Sequence, residues 1–131
     1  MTEMPPGFLS EVLSIAKSIS RNGDGLSLDE AMERCRYRER REAINAECLA
    51  TIIRASPQLV ADWVRYCEDK RTSGGFWFSS RDFTVGSFLH EHKEHRFASL
   101  EDTVAEFVLL ELDYWVSVDE FRKSNGKVGE S

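Results

Sequence analysis

Hydrophobic positions recur at helical spacing through residues 99–118, SLEDTVAEFVLLELDYWVSV. At about 100° per residue, the apolar side chains cover one broad flank, formed by Leu100, Val104, Phe107, Leu110, Tyr114 and Trp115. Ser99 can cap this helix, and Glu101 and Asp102 fall in the first turn, where the helix dipole favours acids. The pattern predicts a long helix in the middle of the core, with one acidic edge left in water.

The N-terminal half shows the same period in shorter stretches. Helices are predicted over about residues 5–20, 28–54 and 56–70. Charged residues interrupt the apolar stripe of the second stretch, which predicts either one long helix or two helices that meet near Arg40. Ser56 and Pro57 begin the third, because serine caps a helix and proline suits its first position.

After residue 75 the period changes from helical to alternating. Phe76-Trp77-Phe78 is typical of a strand, and the polar residues 79–82 are typical of a hairpin turn. Residues 83–89 predict a second strand, in which Gly86 marks a bulge or a close backbone approach. The fold class is therefore predicted to be α+β, with N-terminal helices, a small antiparallel β-meander over about 76–97, and the long C-terminal helix packed on it.

The size and composition agree with one globular unit. A chain of 131 residues with 41% hydrophobic residues can form a single domain with a sizeable core. The polar residues 122–131 predict a frayed tail. No apolar run could span a bilayer, and the N-terminus lacks the basic start and continuous apolar stretch of a secretory signal. We therefore expect a cytoplasmic protein.

Three cysteines, Cys35, Cys48 and Cys67, are too widely spaced for a zinc-binding pattern. Each lies at helical distance from apolar residues. We expect reduced thiols in the core.

Negative charge is concentrated in the C-terminal half. The net charge of −6 divides into −1 for residues 1–55 and −5 for residues 56–131. Between Glu101 and Phe121 there are seven carboxylates and no lysine or arginine. Some share a narrow helical face, called here the acidic stripe: Asp102, Glu106, Asp113 and Glu120. This distribution favours a basic protein as the partner and argues against nucleic acid.

Positive charge is densest in residues 34–41, called here the arginine segment, which contains five arginines. One hypothesis is a nucleic-acid-binding regulator that uses this segment. The alternative is a solvated helix face on which pairs such as Arg38 and Glu42 neutralise each other. Glutamates interleaved with the arginines favour the alternative.

All three histidines lie close together, at His90, His92 and His95. Three imidazoles can bind zinc, so a small metalloenzyme is a further hypothesis. The cluster falls in an expected hairpin connection and includes Lys93, which favours solvated turn residues. The chain also lacks a G-x-S-x-G motif and a glycine-rich phosphate loop. We expect no catalytic activity, no cofactor and no bound metal.

The order of helices, meander (GGFWFSSRDFTVGSFL, then HRFASL) and carboxylate-rich helix resembles some small acidic immunity proteins of bacterial toxin–immunity systems, including those of contact-dependent growth inhibition. The resemblance covers about residues 74–118 and rests on layout, size and acidity. It implies a protein without catalytic activity that binds one cognate toxin domain tightly. Such binding would block the active site of the toxin or its substrate-binding surface.

The residues support the same function on physical grounds. Toxin domains that act on nucleic acid are basic, and complementary charge speeds association with an acidic surface. We expect Leu109 and Val116, near the acidic stripe at helical spacing, to supply the apolar centre of an interface. The predicted partner-binding residues are Asp102, Glu106, Leu109, Asp113, Val116 and Glu120. The alternative, that these carboxylates only solubilise a buried helix, stays open, as does the oligomeric state.

Overall fold

The computed structural model describes residues 6–19, 28–69, 75–87 and 94–130. Within these ranges the helices are α1 (Pro6–Leu13), α2 (Ile15–Ile19), α3 (Leu28–Arg34), α4 (Tyr37–Arg40), a 3-10 helix (Arg41–Ala43), α5 (Ala46–Ala55), α6 (Gln58–Asp69) and α7 (Leu100–Glu130). The strands are β1 (Phe76–Ser79), β2 (Thr84–Ser87) and β3 (Glu94–Arg96), in the order β1-β2-β3. Both strand pairs are antiparallel, and α7 packs on the sheet. The predicted α+β fold is confirmed.

The first two predicted helices are each divided in the structure. A turn at Ser14 separates α1 from α2. The stretch 28–54 is neither one helix nor two helices that meet near Arg40, because α3 ends at Arg34 and Arg36 adopts a left-handed conformation with φ of 55°. A residue in that conformation cannot continue a right-handed helix. Asn45 then caps α5, its side chain accepting a hydrogen bond from the backbone N–H of Cys48 at 2.8 Å.

The helix α7 forms the centre of the core, as predicted. Its residues Val104, Phe107 and Leu112 have no exposed surface. The helices α5 and α6 and the strands β1 and β2 all pack against it. Its N-terminus is capped as expected, since the backbone N–H of Asp102 donates to Ser99 Oγ at 3.2 Å. The helix is described to Glu130; a frayed tail over 122–131 and the single domain stay predictions.

The sheet places aromatic residues on both of its faces. Phe76 and Phe78 contact the rings of Tyr114 and Phe107 on α7, with centroid distances of 6.4 Å and 4.8 Å. Trp77 lies between them in sequence and therefore points to the opposite face, where it pairs with Gly86 of β2. A side-chain carbon on Gly86 would lie 2.2 Å from Cζ2 of Trp77. Gly86 thus marks a close approach, the second of the two predicted roles.

We expect the substitution Gly86→Ala to lower the free energy of unfolding by about 1–3 kcal/mol, because the added methyl group overlaps the Trp77 ring. Urea unfolding followed by circular dichroism measures the effect. The matched control is the same substitution in a Trp77→Ala background, where the overlapping ring is absent and the cost should fall below about 0.5 kcal/mol. An equal cost in both backgrounds would show that the ring is not the obstacle.

Candidate functional site: the acidic stripe and its arginine contacts

The acidic stripe follows the face of α7 that the other elements leave most open. Asp102, Glu106 and Asp113 are partly exposed, and Glu120 is exposed. Leu110 and Ser117 share this face at helical spacing. The stripe therefore lies on the surface and not in the core.

The apolar residues predicted beside the stripe are placed differently. Leu109 is only 6% exposed and belongs to the hydrophobic core, which corrects its expected place at the centre of an interface. Val116 is partly buried and packs against the same core. Burying an apolar side chain at the edge of the core lowers the free energy of the folded state, so these side chains pack inward. The exposed strip of α7 is therefore narrower than expected. Leu110, one position after Leu109, keeps part of its surface exposed.

Asp113 is the member of the stripe whose carboxylate accepts hydrogen bonds from other described side chains. The Tyr37 hydroxyl donates to Oδ1 at 2.8 Å. Nε of Arg41 donates to Oδ1 at 2.8 Å and to Oδ2 at 3.0 Å, and Nη2 donates to Oδ2 at 2.9 Å. Both carboxylate oxygens are therefore occupied. Arg41 makes one further hydrogen bond, in which Nη1 donates to the backbone oxygen of Ile44 at 3.0 Å.

A second contact joins the arginine segment to α7. Nη2 of Arg38 donates to Oδ2 of Asp119, and the side chains are 35% and 24% exposed. The contacts of Tyr37, Arg38 and Arg41 with Asp113 and Asp119 are called here the arginine clasp. The expected pairing of Arg38 with Glu42 is replaced by this long-range contact. Two of the five arginines proposed for nucleic-acid binding thus bind α7 instead.

The pKa values of Tyr37 and Arg41 in the clasp are both raised. Burial raises the pKa of Tyr37 above its ordinary value of 10.0, and the hydrogen bond and charge of Asp113 raise it further. The hydrogen bond to Asp113 also raises the pKa of Arg41 above its ordinary value. At neutral pH the phenol therefore remains a donor and the guanidinium remains charged.

The remaining carboxylates of the stripe have a different environment. Among the described residues, Asp102, Glu106 and Glu120 have no ion pair within 4.0 Å. Asp102 and Glu106 are four residues apart on one helical face, a spacing at which like charges destabilise a helix. Glu101, beside the stripe, is paired with Arg54 at 3.5 Å. The part of the stripe without an ion pair to any described residue, called here the unpaired part, thus consists of Asp102, Glu106 and Glu120.

Glu111 is a buried carboxylate of α7 that was not among the predicted site residues. It has no exposed surface, and it accepts hydrogen bonds from the Tyr66 hydroxyl at 2.6 Å and from Trp115 Nε1 at 2.7 Å. The backbone N–H of Phe76 donates to its other oxygen at 2.8 Å. At about 100° per residue, Glu111 lies opposite Asp102, so helical periodicity could have identified it.

The contacts of Glu111 join three elements of the core, because Tyr66 belongs to α6, Phe76 to β1 and Trp115 to α7. Burial raises the pKa of Tyr66 above its ordinary value of 10.0, and the nearby charge of Glu111 adds to the effect. The phenol therefore remains a hydrogen-bond donor at neutral pH. These contacts assign Glu111 a structural role.

The surface beside the clasp offers little room for a small molecule. A cavity of about 30 Å³ is lined by Met32, Glu33, Arg38, Glu39 and Asp119. A volume near 30 Å³ corresponds to roughly one water molecule, whereas ligand pockets span about 300–1,000 Å³. This cavity is too small for a typical substrate.

Metal-ligating residues are not clustered in the described ranges. No group of three His, Cys, Asp or Glu residues there could hold a metal ion. His90 and His92 lie outside the described residues, and His95 is exposed on β3. The three cysteines are free thiols. Cys35 is buried, which raises its pKa from 9.0 to about 11, but Cys48 is exposed in the first turn of α5 and not in the core.

Comparison with known proteins identifies no relative. No protein-family model, curated protein or solved structure matches the chain. Among the helices in the described ranges, none has the length and apolar character needed to cross a membrane.

Proposed function

We propose that the protein is a bacterial immunity protein that acts in the cytoplasm by binding and neutralising one cognate, basic toxin domain. The supporting observation is the unpaired part of the acidic stripe, Asp102, Glu106 and Glu120, on the open face of α7. Like charges on one helical face repel each other and contribute little to folding. Contact with a basic surface would relieve that repulsion, because the cations of the partner attract these carboxylates.

The dimensions of the stripe suit a protein interface. At about 1.5 Å of rise per residue, the distance along α7 from Asp102 to Glu120 is about 27 Å. A typical interface covers roughly 800 Å² on each partner, a patch of comparable width. Phe121 follows Glu120 and is 66% exposed, the only large hydrophobic residue so exposed among the described residues. An exposed aromatic ring can serve as an anchor in an interface.

The proposed mechanism is physical occlusion. A toxin domain that cleaves or modifies nucleic acid binds phosphate groups with lysine and arginine. Carboxylates spaced along a helix offer those cations an alternative set of anions, and the bound helix then covers the substrate-binding surface. Complementary charge would mainly accelerate association and favour the cognate partner. No step of this mechanism requires a catalytic residue, cofactor or metal in the chain.

We expect the triple variant Asp102→Asn, Glu106→Gln, Glu120→Gln to fold normally and to bind the toxin domain about tenfold more slowly at low salt, because it removes electrostatic steering. Asp113 is left unchanged because it belongs to the arginine clasp. The partner is captured from the native host on the immobilised chain, and it must be toxic when expressed alone and harmless with the wild-type chain. Stopped-flow kinetics at about 20 mM and about 500 mM salt then give the association rates.

The control variant removes the same charge elsewhere, through Glu11→Gln, Glu42→Gln and Glu47→Gln. These residues are exposed and lie outside α7. We expect the control to associate within about twofold of the wild-type rate, since steering depends most on the charges that face the partner. If both triple variants associate equally fast at low salt, the stripe is only a solubilising surface and the proposed binding site is refuted.

A further inference from the structure

The structure shows a guanidinium group already bound within the acidic stripe. Arg41 binds Asp113 side-on, with donor–acceptor distances of 2.8 Å, 3.0 Å and 2.9 Å from Nε and Nη2 to the two carboxylate oxygens. Asp113 lies between Glu106 and Glu120 along the stripe, and its side chain is 41% exposed. The contact is therefore at the surface, in line with the carboxylates that have no ion pair among the described residues.

We propose that Arg41 occupies the position of a partner arginine, and that a basic partner binds the stripe by exchanging its own guanidinium for that of Arg41 at Asp113. This inference rests on the proposed function and specifies the chemistry of the partner surface. In the free protein the arginine clasp is then an autoinhibitory contact. It competes with weakly matched cationic surfaces and yields to one that also engages Asp102, Glu106 and Glu120.

The exchange requires that the arginine can leave without unfolding the segment that carries it. The side chains of Arg41 and Asp113 are 36% and 41% exposed, so water can reach both charged groups and solvate them as they separate. Release also breaks the hydrogen bond from Nη1 to the backbone oxygen of Ile44, which water can replace. Tyr37 has only 1% of its surface exposed and packs in the core. Tyr37 therefore keeps α4 attached to the rest of the fold while the Arg41 side chain moves away.

The geometry selects arginine over lysine. Two parallel N–H groups of a guanidinium can bind both oxygens of a carboxylate at once, whereas an ammonium group is a single point of charge. The Tyr37 hydroxyl already donates a hydrogen bond to Oδ1 of Asp113. We therefore expect the partner to present an arginine opposite Asp113.

The test measures the affinity of deca-arginine and deca-lysine peptides by isothermal titration calorimetry at low salt. The principal variant is Arg41→Lys, which keeps the net charge but loses the two-point contact with Asp113. Because the internal competitor is weakened, deca-arginine should bind this variant about fivefold more tightly than the wild type. The affinity of deca-lysine for this variant should rise by a smaller factor, since one ammonium group cannot bind both carboxylate oxygens of Asp113 in the same two-point way.

The matched control is Arg36→Lys. Arg36 is an exposed residue of the same arginine segment, and it is the N-cap of α4, in a left-handed conformation. This substitution makes the same chemical change without touching Asp113, and affinity should stay within about twofold of wild type. A third variant combines Arg41→Lys with Asp113→Asn, and the gain in affinity should disappear because the exchange position is lost.

Equal affinities of the Arg41→Lys and Arg36→Lys variants for deca-arginine would overturn the exchange and leave the proposed function standing. The proposed function fails separately if the peptide binds the wild type and the Asp102→Asn, Glu106→Gln, Glu120→Gln variant equally well. Absence of binding to every variant would overturn both. A measurement on the wild type alone follows the Arg41 Nε–H signal by NMR, and its persistence at saturating deca-arginine would also refute the exchange.

Discussion

Replacing Phe107 by alanine is expected to lower the free energy of unfolding by about 3–5 kcal/mol. The residue has no exposed surface and contacts three other rings, with centroid distances of 6.0 Å to Trp63, 6.3 Å to Tyr66 and 4.8 Å to Phe78. The cost combines the lost burial of the ring with the cavity that these neighbours cannot fill, because α6 and β1, which carry them, are fixed by their other contacts.

Urea unfolding followed by far-UV circular dichroism measures this loss. Phe121→Ala on the same helix is the control, because that ring is 66% exposed and its removal should cost less than about 0.5 kcal/mol. A loss below about 1 kcal/mol for Phe107→Ala would contradict the placement of this face of α7 at the centre of the core.

The substitution Glu111→Ala is expected to cost about 3 kcal/mol, because it leaves three partly buried donors without the acceptor that they share. Those donors are the Tyr66 hydroxyl, the Trp115 indole N–H and the Phe76 backbone N–H. Glu111→Gln should cost less than Glu111→Ala, since one amide oxygen remains to accept while the amide nitrogen faces a donor. Both values come from two-state chemical unfolding.

Glu106→Ala is the control for the loss of one glutamate from α7. Glu106 lies on the open face and has no ion pair among the described residues, so the change should stay within about 0.5 kcal/mol. If Glu111→Ala costs no more than Glu106→Ala, the buried carboxylate is dispensable and the three donors find other partners. A double-mutant cycle with Tyr66→Phe should give a coupling energy of about 0.5–3 kcal/mol.

The elements governed by local periodicity were predictable. The spacing of Val104 and Phe107 identified the buried face of α7, and Ser99 identified its N-terminus. The alternation after residue 75 identified β1 and β2 because a pleated strand sends successive side chains to opposite faces. The breaks at Ser14 and Arg36 escaped prediction, since no glycine or proline marks either position.

The candidate site was predicted less completely. Helical spacing assigned Leu109 and Asp113 to one strip, but it does not show how far neighbouring helices extend over that strip. Leu109 is buried with the core, and Asp113 binds Tyr37 and Arg41. The function itself and the partner-binding role of Asp102, Glu106, Asp113, Val116 and Glu120 stay predictions.

The α+β layout, the central place of α7 and the gathering of acids on one of its faces followed from the sequence alone, because each depends on spacings within a few turns or one strand. Which of the described charges form ion pairs depended instead on the packing of whole elements. Arg41 and Asp113 are 72 residues apart, and Arg38 and Asp119 are 81 residues apart. A pair at such separation forms only when the packing of whole elements brings the side chains together. The spacing of charges within one helix predicts only pairs three or four residues apart, so it cannot predict these contacts.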